Sequence, residues 1–171
     1  RISPSIDVRY PIADPMDAAR RFGLTTEDLA AASVAIWTTT PWTLPASQAV
    51  CLHPLLDYVL AEFERPAGTE RLVVAEGLHE AVAKRIGASA TRVLAKASGE
   101  KLEGLRLEHP FYERELPVIL GDHVTLESGT GAVHTAPGHG QEDFVIGQRY
   151  GLAVDNPVGG DFERFVRSQA R

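Results

Sequence analysis

Tyr58-Val59-Leu60-Ala61-Glu62-Phe63, then the turn Pro66-Ala67-Gly68, then Arg71-Leu72-Val73-Val74-Ala75: this stretch decides the fold. Two short runs of β-branched, aromatic and aliphatic residues flank a Pro/Gly turn, the pattern of an antiparallel pair. Moving toward the N-terminus, Val34 to Thr38 and Ala49 to Leu52 read as further strands of the same small antiparallel sheet. Toward the C-terminus, Val93 to Lys96, Leu105 to Leu107, Val118 to Leu120 and Gly131 to Thr135 add short strands separated by Gly, Pro, Asp and Ser. Arg1 to Tyr10, ending at Pro11, reads as an extended arm or edge strand.

Helical signals are fewer. Asp14 to Phe22 places Pro15 just inside an Asp cap and Gly23 just past the end. Gly77 to Ile86 sets Leu78, Ala81, Val82 and Ile86 on one face, with Gly87 as terminator, and a last helix is expected from near Gln141 to Tyr150. Many short strands with two or three helices imply an α+β domain: a barrel-like, mostly antiparallel sheet with a few packed helices, not the strict alternation of a doubly wound fold.

The 171 residues are 44% hydrophobic and 23% charged, which suits a single domain over 1–171 with a real core. The chain opens at Arg1 with Met16 as its lone methionine, so it reads as a piece of a longer protein, residues 1–10 and 157–171 being arms toward the missing body. Apolar runs fall far short of the roughly 20 residues that span a bilayer, so a soluble domain without membrane contact is expected. The single cysteine, Cys51, has no disulfide partner and no Cys-x-x-Cys companion, which fits a cytoplasmic setting and a buried, inert thiol. A net charge of −6 argues against a broad nucleic-acid surface, since phosphate neutralisation calls for excess Lys and Arg.

Two segments carry unusual chemistry: Trp37-Thr38-Thr39-Thr40-Pro41-Trp42-Thr43-Leu44-Pro45, and Gly129-Thr130-Gly131-Ala132-Val133-His134-Thr135-Ala136-Pro137-Gly138-His139-Gly140. Threonines ending a strand favour extended backbone on their own, and prolines and tryptophans shape turns and fill cores. The functional reading is that the hydroxyls of Thr38, Thr39, Thr40 and Thr43 form an uncharged wall for a ribose, a phosphate oxygen or a positioned water, stiffened by Pro41 and Pro45. Glu142 and Asp143 fall in the first turn of the last helix, where the dipole favours negative charge and is expected to keep a carboxylate ionised. His134, His139 and Asp143 lack metal-site spacing, and no metal is expected. The remaining histidines, His53, His79, His109 and His123, read as surface or capping residues.

In this order, W-T-T-T-P-W-T-L-P and G-T-G-A-V-H-T-A-P-G-H-G-x-E-D resemble the editing insertion of isoleucyl-tRNA synthetases. The valine and leucine enzymes are similar in G-T-G and in the aspartate, but carry Arg-Pro-Glu or Arg-Pro-Asp after two threonines, where Thr40-Pro41-Trp42 stands here. A looser similarity runs from Ser3 through Val118 to Val124 and on to Gly159, and Ser47 departs from the asparagine common in the family.

The resemblance implies a class I editing-domain fold that hydrolyses the ester of valine wrongly attached to tRNA(Ile) and spares isoleucyl-tRNA. One methylene in an apolar pocket is worth only roughly 1–3 kcal/mol, a magnitude for which the isoleucine enzyme is itself the standard illustration, so a synthetic pocket cannot reject valine by itself. The resemblance assigns Asp143 to the α-ammonium and His134 to the wall that the extra methyl of isoleucine would strike. It assigns Thr38, Thr39 and Thr40 to the terminal adenosine and the attacking water, with Thr43 in support. Trp42 is then a loop anchor, and Gly131 and Ser47 join the substrate-binding set. The implied partners are the 3′ aminoacylated end of tRNA(Ile) carrying valine and the rest of the synthetase. Such a hydrolysis needs no cofactor in this domain. The alternatives are a valine- or leucine-type editing domain, or a non-catalytic module binding the tRNA acceptor end.

Overall fold

The computed structural model describes residues 5–153. The expected arm at 157–171 lies outside the described residues. Among the described residues, nine strands and four α-helices follow one another: β1 (Ile6–Pro11), α1 (Pro15–Phe22), β2 (Ser33–Thr38), β3 (Ala49–Leu52), β4 (Asp57–Arg65), β5 (Gly68–Ala75), α2 (His79–Arg85), β6 (Ala90–Ser98), α3 (Gly99–Leu102), β7 (Arg106–Glu108), β8 (Glu115–Leu120), β9 (Ala132–Thr135) and α4 (Gln141–Tyr150).

The deciding hairpin forms as read, β4 and β5 pairing antiparallel from Tyr58 opposite Ala75 to Arg65 opposite Gly68. A five-stranded sheet runs β1-β2-β5-β4-β6, and β1 is its edge strand. A four-stranded sheet runs β7-β8-β3-β9.

Three details correct the expected arrangement. First, β3 is not a neighbour of β4 but the inner strand of the second sheet, parallel to β8 and antiparallel to β9. Ala49, Val50, Cys51 and Leu52 are all buried, as a strand covered on both faces must be, and a short apolar run of this kind does not reveal its own neighbours. Second, β2 lies parallel to β5. Third, among the described residues the two sheets meet without closing into a barrel: a single bridge joins Ile12 to Leu107, and at another corner the Thr130 hydroxyl donates to the Ala35 carbonyl at 2.6 Å.

The helices follow their local signals. Asp14 caps α1 by accepting the Asp17 amide, and Gly23 ends it at φ +70°. Gly151 ends α4 in the same left-handed conformation, at φ +68°, which costs glycine least.

One large core, centred on Tyr58, Phe63, Leu60, Ile36 and Leu52, reaches across both sheets. A smaller cluster of Ala49, Cys51, Ile119, Val124 and Ile146 seats α4 against β3 and β8. The Cys51 thiol is fully buried there and its pKa is pushed up to about 12 by loss of solvent, in keeping with an inert thiol. Among the described residues, no helix is long and apolar enough to cross a membrane.

Candidate active site

β2 ends at Thr38, and the chain then passes through Thr39 and Thr40 into a short 3₁₀ turn, Pro41–Ala46. Facing it, β9 delivers His134, and Ala136 to Gly140 lead into α4 with Asp143 in its first turn. Between them lies a cleft of about 270 Å³, lined by Thr38, Thr39, Thr40, Thr43, His134 and Asp143, and completed by Trp37, Val133, Ala136 and His139. The two motif segments, almost a hundred residues apart in sequence, thus form the opposing walls of one cavity. Larger hollows exist, of about 590 Å³ beside Tyr112 and about 390 Å³ beside Arg149. Volume does not select between them; only the smaller cleft brings four neutral hydroxyls to a buried imidazole and a half-buried carboxyl.

The hydroxyls form a chain. Thr38 Oγ1 accepts the Thr40 amide at 3.0 Å and lies 3.3 Å from Thr40 Oγ1, which in turn lies 3.4 Å from Thr43 Oγ1. Thr43 donates its single proton to the Thr40 carbonyl at 2.8 Å. The 3.2 Å contact between Thr43 Oγ1 and His134 Nε2 therefore has the imidazole as donor. That leaves His134 Nδ1 as a buried acceptor with no protein partner. Burial, with His109 and His139 adding to it, lowers the His134 pKa to about 4, so the ring is neutral at physiological pH and acts as a shaped polar wall, not as a cation.

Asp143 Oδ2 accepts the Ala136 amide at 3.0 Å, which ties α4 to the end of β9. Its pKa is raised by burial, an effect that the Ala136 hydrogen bond, His123 and His139 only partly offset. Burial thus works against the helix field at this carboxylate, and an arriving cation would favour its charged form.

Three residues of the expected substrate-binding set stand elsewhere. Ser47 is fully buried behind the loop, where its Oγ accepts the Tyr10 hydroxyl at 2.9 Å. Gly131 holds φ +80°, its carbonyl accepts from Tyr58 Oη, and a Cβ there would come within 2.4 Å of Ala75 Cβ, so its work is to let β9 pass close to β5. Trp42 is 45% exposed and does not line the cleft. Trp37, Val133 and Ala136 line it without having been singled out, and His139, weighed only as a metal ligand, lines it too; all four lie inside the two quoted segments, so the segments themselves carried that signal. Among the described residues, no group of three or more His, Cys, Asp or Glu side chains is placed to hold a metal ion.

This cleft sits in a recognisable fold. Residues 21–164 match the family described as leucyl-tRNA synthetase, editing domain, and the chain belongs to that family of synthetase editing domains. Within it, the sequence is similar to isoleucine–tRNA ligases: 59% identical over 161 residues to that of Methylococcus capsulatus, covering 93% of this chain and 17% of the relative. It is 56% identical over 161 residues to the isoleucine–tRNA ligase of Nitrosococcus oceani, covering 94% of this chain and again 17% of the relative. The chain thus spans about a sixth of the length of the curated relatives it matches. Among solved structures it resembles the editing domain of the cytosolic leucyl-tRNA synthetase of P. falciparum, with a TM-score of 0.72 at 12% identity over 86% of this chain and 67% of that one. The P. knowlesi counterpart gives 0.70 at 12% identity over 88% and 66%. These structural likenesses are of fold. The resemblance read from the two motifs is borne out by the sequence relatives.

Proposed function

We propose that this domain performs post-transfer editing, hydrolysing the ester of valine misattached to tRNA(Ile) while sparing isoleucyl-tRNA. The observation that carries the reading is the cleft itself, in which Asp143, His134 and the Thr38–Thr40 hydroxyls converge. The α-ammonium of the amino acid pairs with the Asp143 carboxylate, whose burial makes a charge-assisted partner more valuable than it would be in water. The threonine hydroxyls hold the terminal adenosine and orient a water toward the ester carbonyl. Attack by that water breaks the acyl C–O bond, releasing valine and returning the ribose hydroxyl.

Positioning does most of the work, because an aminoacyl ester is already activated. No cofactor is needed in this domain for such a step. His134, neutral and held by Thr43, forms the wall against the longer side chain of isoleucine. The partners in this reading are the 3′ end of tRNA(Ile) and the remaining synthetase, in the cytoplasm.

The test is deacylation of valyl-tRNA(Ile) and isoleucyl-tRNA(Ile) by the domain and by the full-length ligase that carries it. Hydrolysis of the valyl ester with the isoleucyl ester spared is the expected result. Hydrolysis of neither would reduce the domain to an acceptor-end binding module, and attack on threonine- or methionine-charged tRNAs in preference would place it with the valine- or leucine-type editors.

A further inference from the structure

The loop joining β7 to β8, outside the cleft, grips the far side of the threonine turn. His109, expected as a surface or capping residue, is buried, 4% exposed, and caps amides of its own loop. Its Nδ1 accepts the Phe111 amide at 3.3 Å and the Tyr112 amide at 3.2 Å, so the ring proton sits on Nε2, which donates to the Leu44 carbonyl at 2.9 Å. A second proton would have to enter on Nδ1 against two N–H groups, in accord with a pKa lowered to about 4 by burial.

Arg114, on the same loop, spreads its guanidinium over two more carbonyls of that turn, Nη2 donating to Pro45 O at 3.1 Å and to Ser47 O at 2.7 Å. Its Cζ lies 5.7 Å from the centre of the Tyr112 ring, and the His109 amide donates to the Arg114 carbonyl at 2.9 Å, which closes the loop. The Tyr10 hydroxyl adds its bond to Ser47 Oγ. The bonds from His109, Arg114 and Tyr10 to the turn all land on residues 44–47, which do not line the cleft, while Thr40 and Thr43 do.

We propose that His109 and Arg114 are positioning residues for the editing reaction: together they clamp the Leu44, Pro45 and Ser47 carbonyls and so hold the Thr40–Thr43 hydroxyl chain in register with His134. This rests on the hydrolytic reading of the cleft above. The physical warrant is that hydroxyls without charge accelerate hydrolysis only by where they stand, and a 3₁₀ turn of six residues containing two prolines has few hydrogen bonds of its own to hold it. Arginine suits the task because the two N–H groups of one Nη2 are fixed in the guanidinium plane and meet both acceptors, whereas a lysine ammonium turns freely on a flexible stem. Histidine suits it because one small ring both donates to the turn and accepts from its own loop.

The experiment uses Arg114→Lys, His109→Leu and His109→Gln in the full-length ligase, with valyl-tRNA(Ile) deacylation kinetics, thermal melts, and amide hydrogen exchange across residues 40–47. Arg114→Lys is expected to speed exchange at the Thr43 and Ser47 amides, leave exchange in β4 and β5 unchanged, and lower kcat about tenfold with little change in KM. His109→Leu is expected to do the same or more, whereas His109→Gln, whose amide both donates and accepts, should recover most of the rate. Normal kcat in folded Arg114→Lys and His109→Leu proteins, or faster exchange with no kinetic effect, would overturn the clamp as a positioning device. If His109→Leu does not fold, the Arg114→Lys comparison decides alone. A wild-type protein that does not deacylate at all would instead sink the hydrolytic reading, and the exchange data would still report whether the loop holds the turn.

Discussion

Thr43 Oγ1 stands 3.2 Å from His134 Nε2, across 91 residues of sequence, a contact that, among the described residues, is the one side-chain hydrogen bond directly joining the threonine turn to β9. Because the Thr43 proton is already given to the Thr40 carbonyl, the imidazole must donate, and its tautomer is set. The wall of the cleft and its hydroxyl chain are therefore one hydrogen-bonded unit, and changes on either side should be felt on the other.

His134→Ala removes the wall and opens space beside Thr43. Isoleucyl-tRNA hydrolysis is expected to rise by about tenfold or more, the discrimination that a methyl-sized exclusion supplies, while valyl-tRNA hydrolysis falls only in part. The melting temperature should also drop, since deleting a buried ring costs roughly 2–4 kcal/mol. Parallel deacylation of the two aminoacyl-tRNAs is the check. A variant that still spares isoleucyl-tRNA shows that His134 does not set the size limit.

Asp143→Ala should lose nearly all valyl-tRNA hydrolysis. It should also cost more stability than an exposed first-turn carboxylate would, about 1–3 kcal/mol, because the half-buried Ala136 amide loses its acceptor. Asp143→Asn keeps an acceptor for that amide and removes the charge, so it should melt close to wild type and still be inactive. Glu142→Gln, on an exposed neighbour, serves as the control for charge alone. Full activity in Asp143→Asn would rule out an ion pair with the substrate ammonium.

The acid stability of the domain should reflect His109 and His134, both neutral with pKa lowered to about 4. The unfolded chain binds protons at these rings near pH 6.5, and the folded chain does not until about pH 4, so the stability present above 6.5 is lost as pH falls through that window. Each ring contributes on the order of 3 kcal/mol at most, the free-energy equivalent of a pKa lowered to about 4. Asp143, with its pKa raised, acts in the opposite sense, since the folded state takes up that proton more readily. Urea titrations at several pH values should therefore show the midpoint falling from neutral pH toward 4, and a shallower fall in a His109→Gln, His134→Gln double variant.

Gly131→Ala is expected to destabilise by roughly 2–4 kcal/mol, combining a left-handed backbone with a Cβ pressed against Ala75. Because Gly131 opens β9, the strain falls at the base of His134. Calorimetry should show a lowered melt, and Ala75→Gly in the same protein should restore part of it by relieving the contact while leaving the backbone strain.

Much of this was legible locally. Asp14, Pro15 and Gly23 bound α1, Gly151 closes α4, and Pro66-Ala67-Gly68 joins β4 to β5, because caps and turns depend on residues within a few positions of one another. The two motif segments, with Asp143 just beyond the second, also held every residue that lines the cleft, since side chains that share a chemistry were packed densely enough in sequence to be noticed.

What the sequence by itself determined, then, was most of the elements and the residues that line the cleft. The tertiary structure alone decided that β3 sits between β8 and β9, that Ser47 and Gly131 support the cleft from outside it, and that His109 is buried under the threonine turn. It also decided the direction in which burial moves the Asp143 pKa, upward, against the helix field. Strand neighbours, burial and desolvation all come from contacts between distant parts of the chain, and no window of sequence contains them.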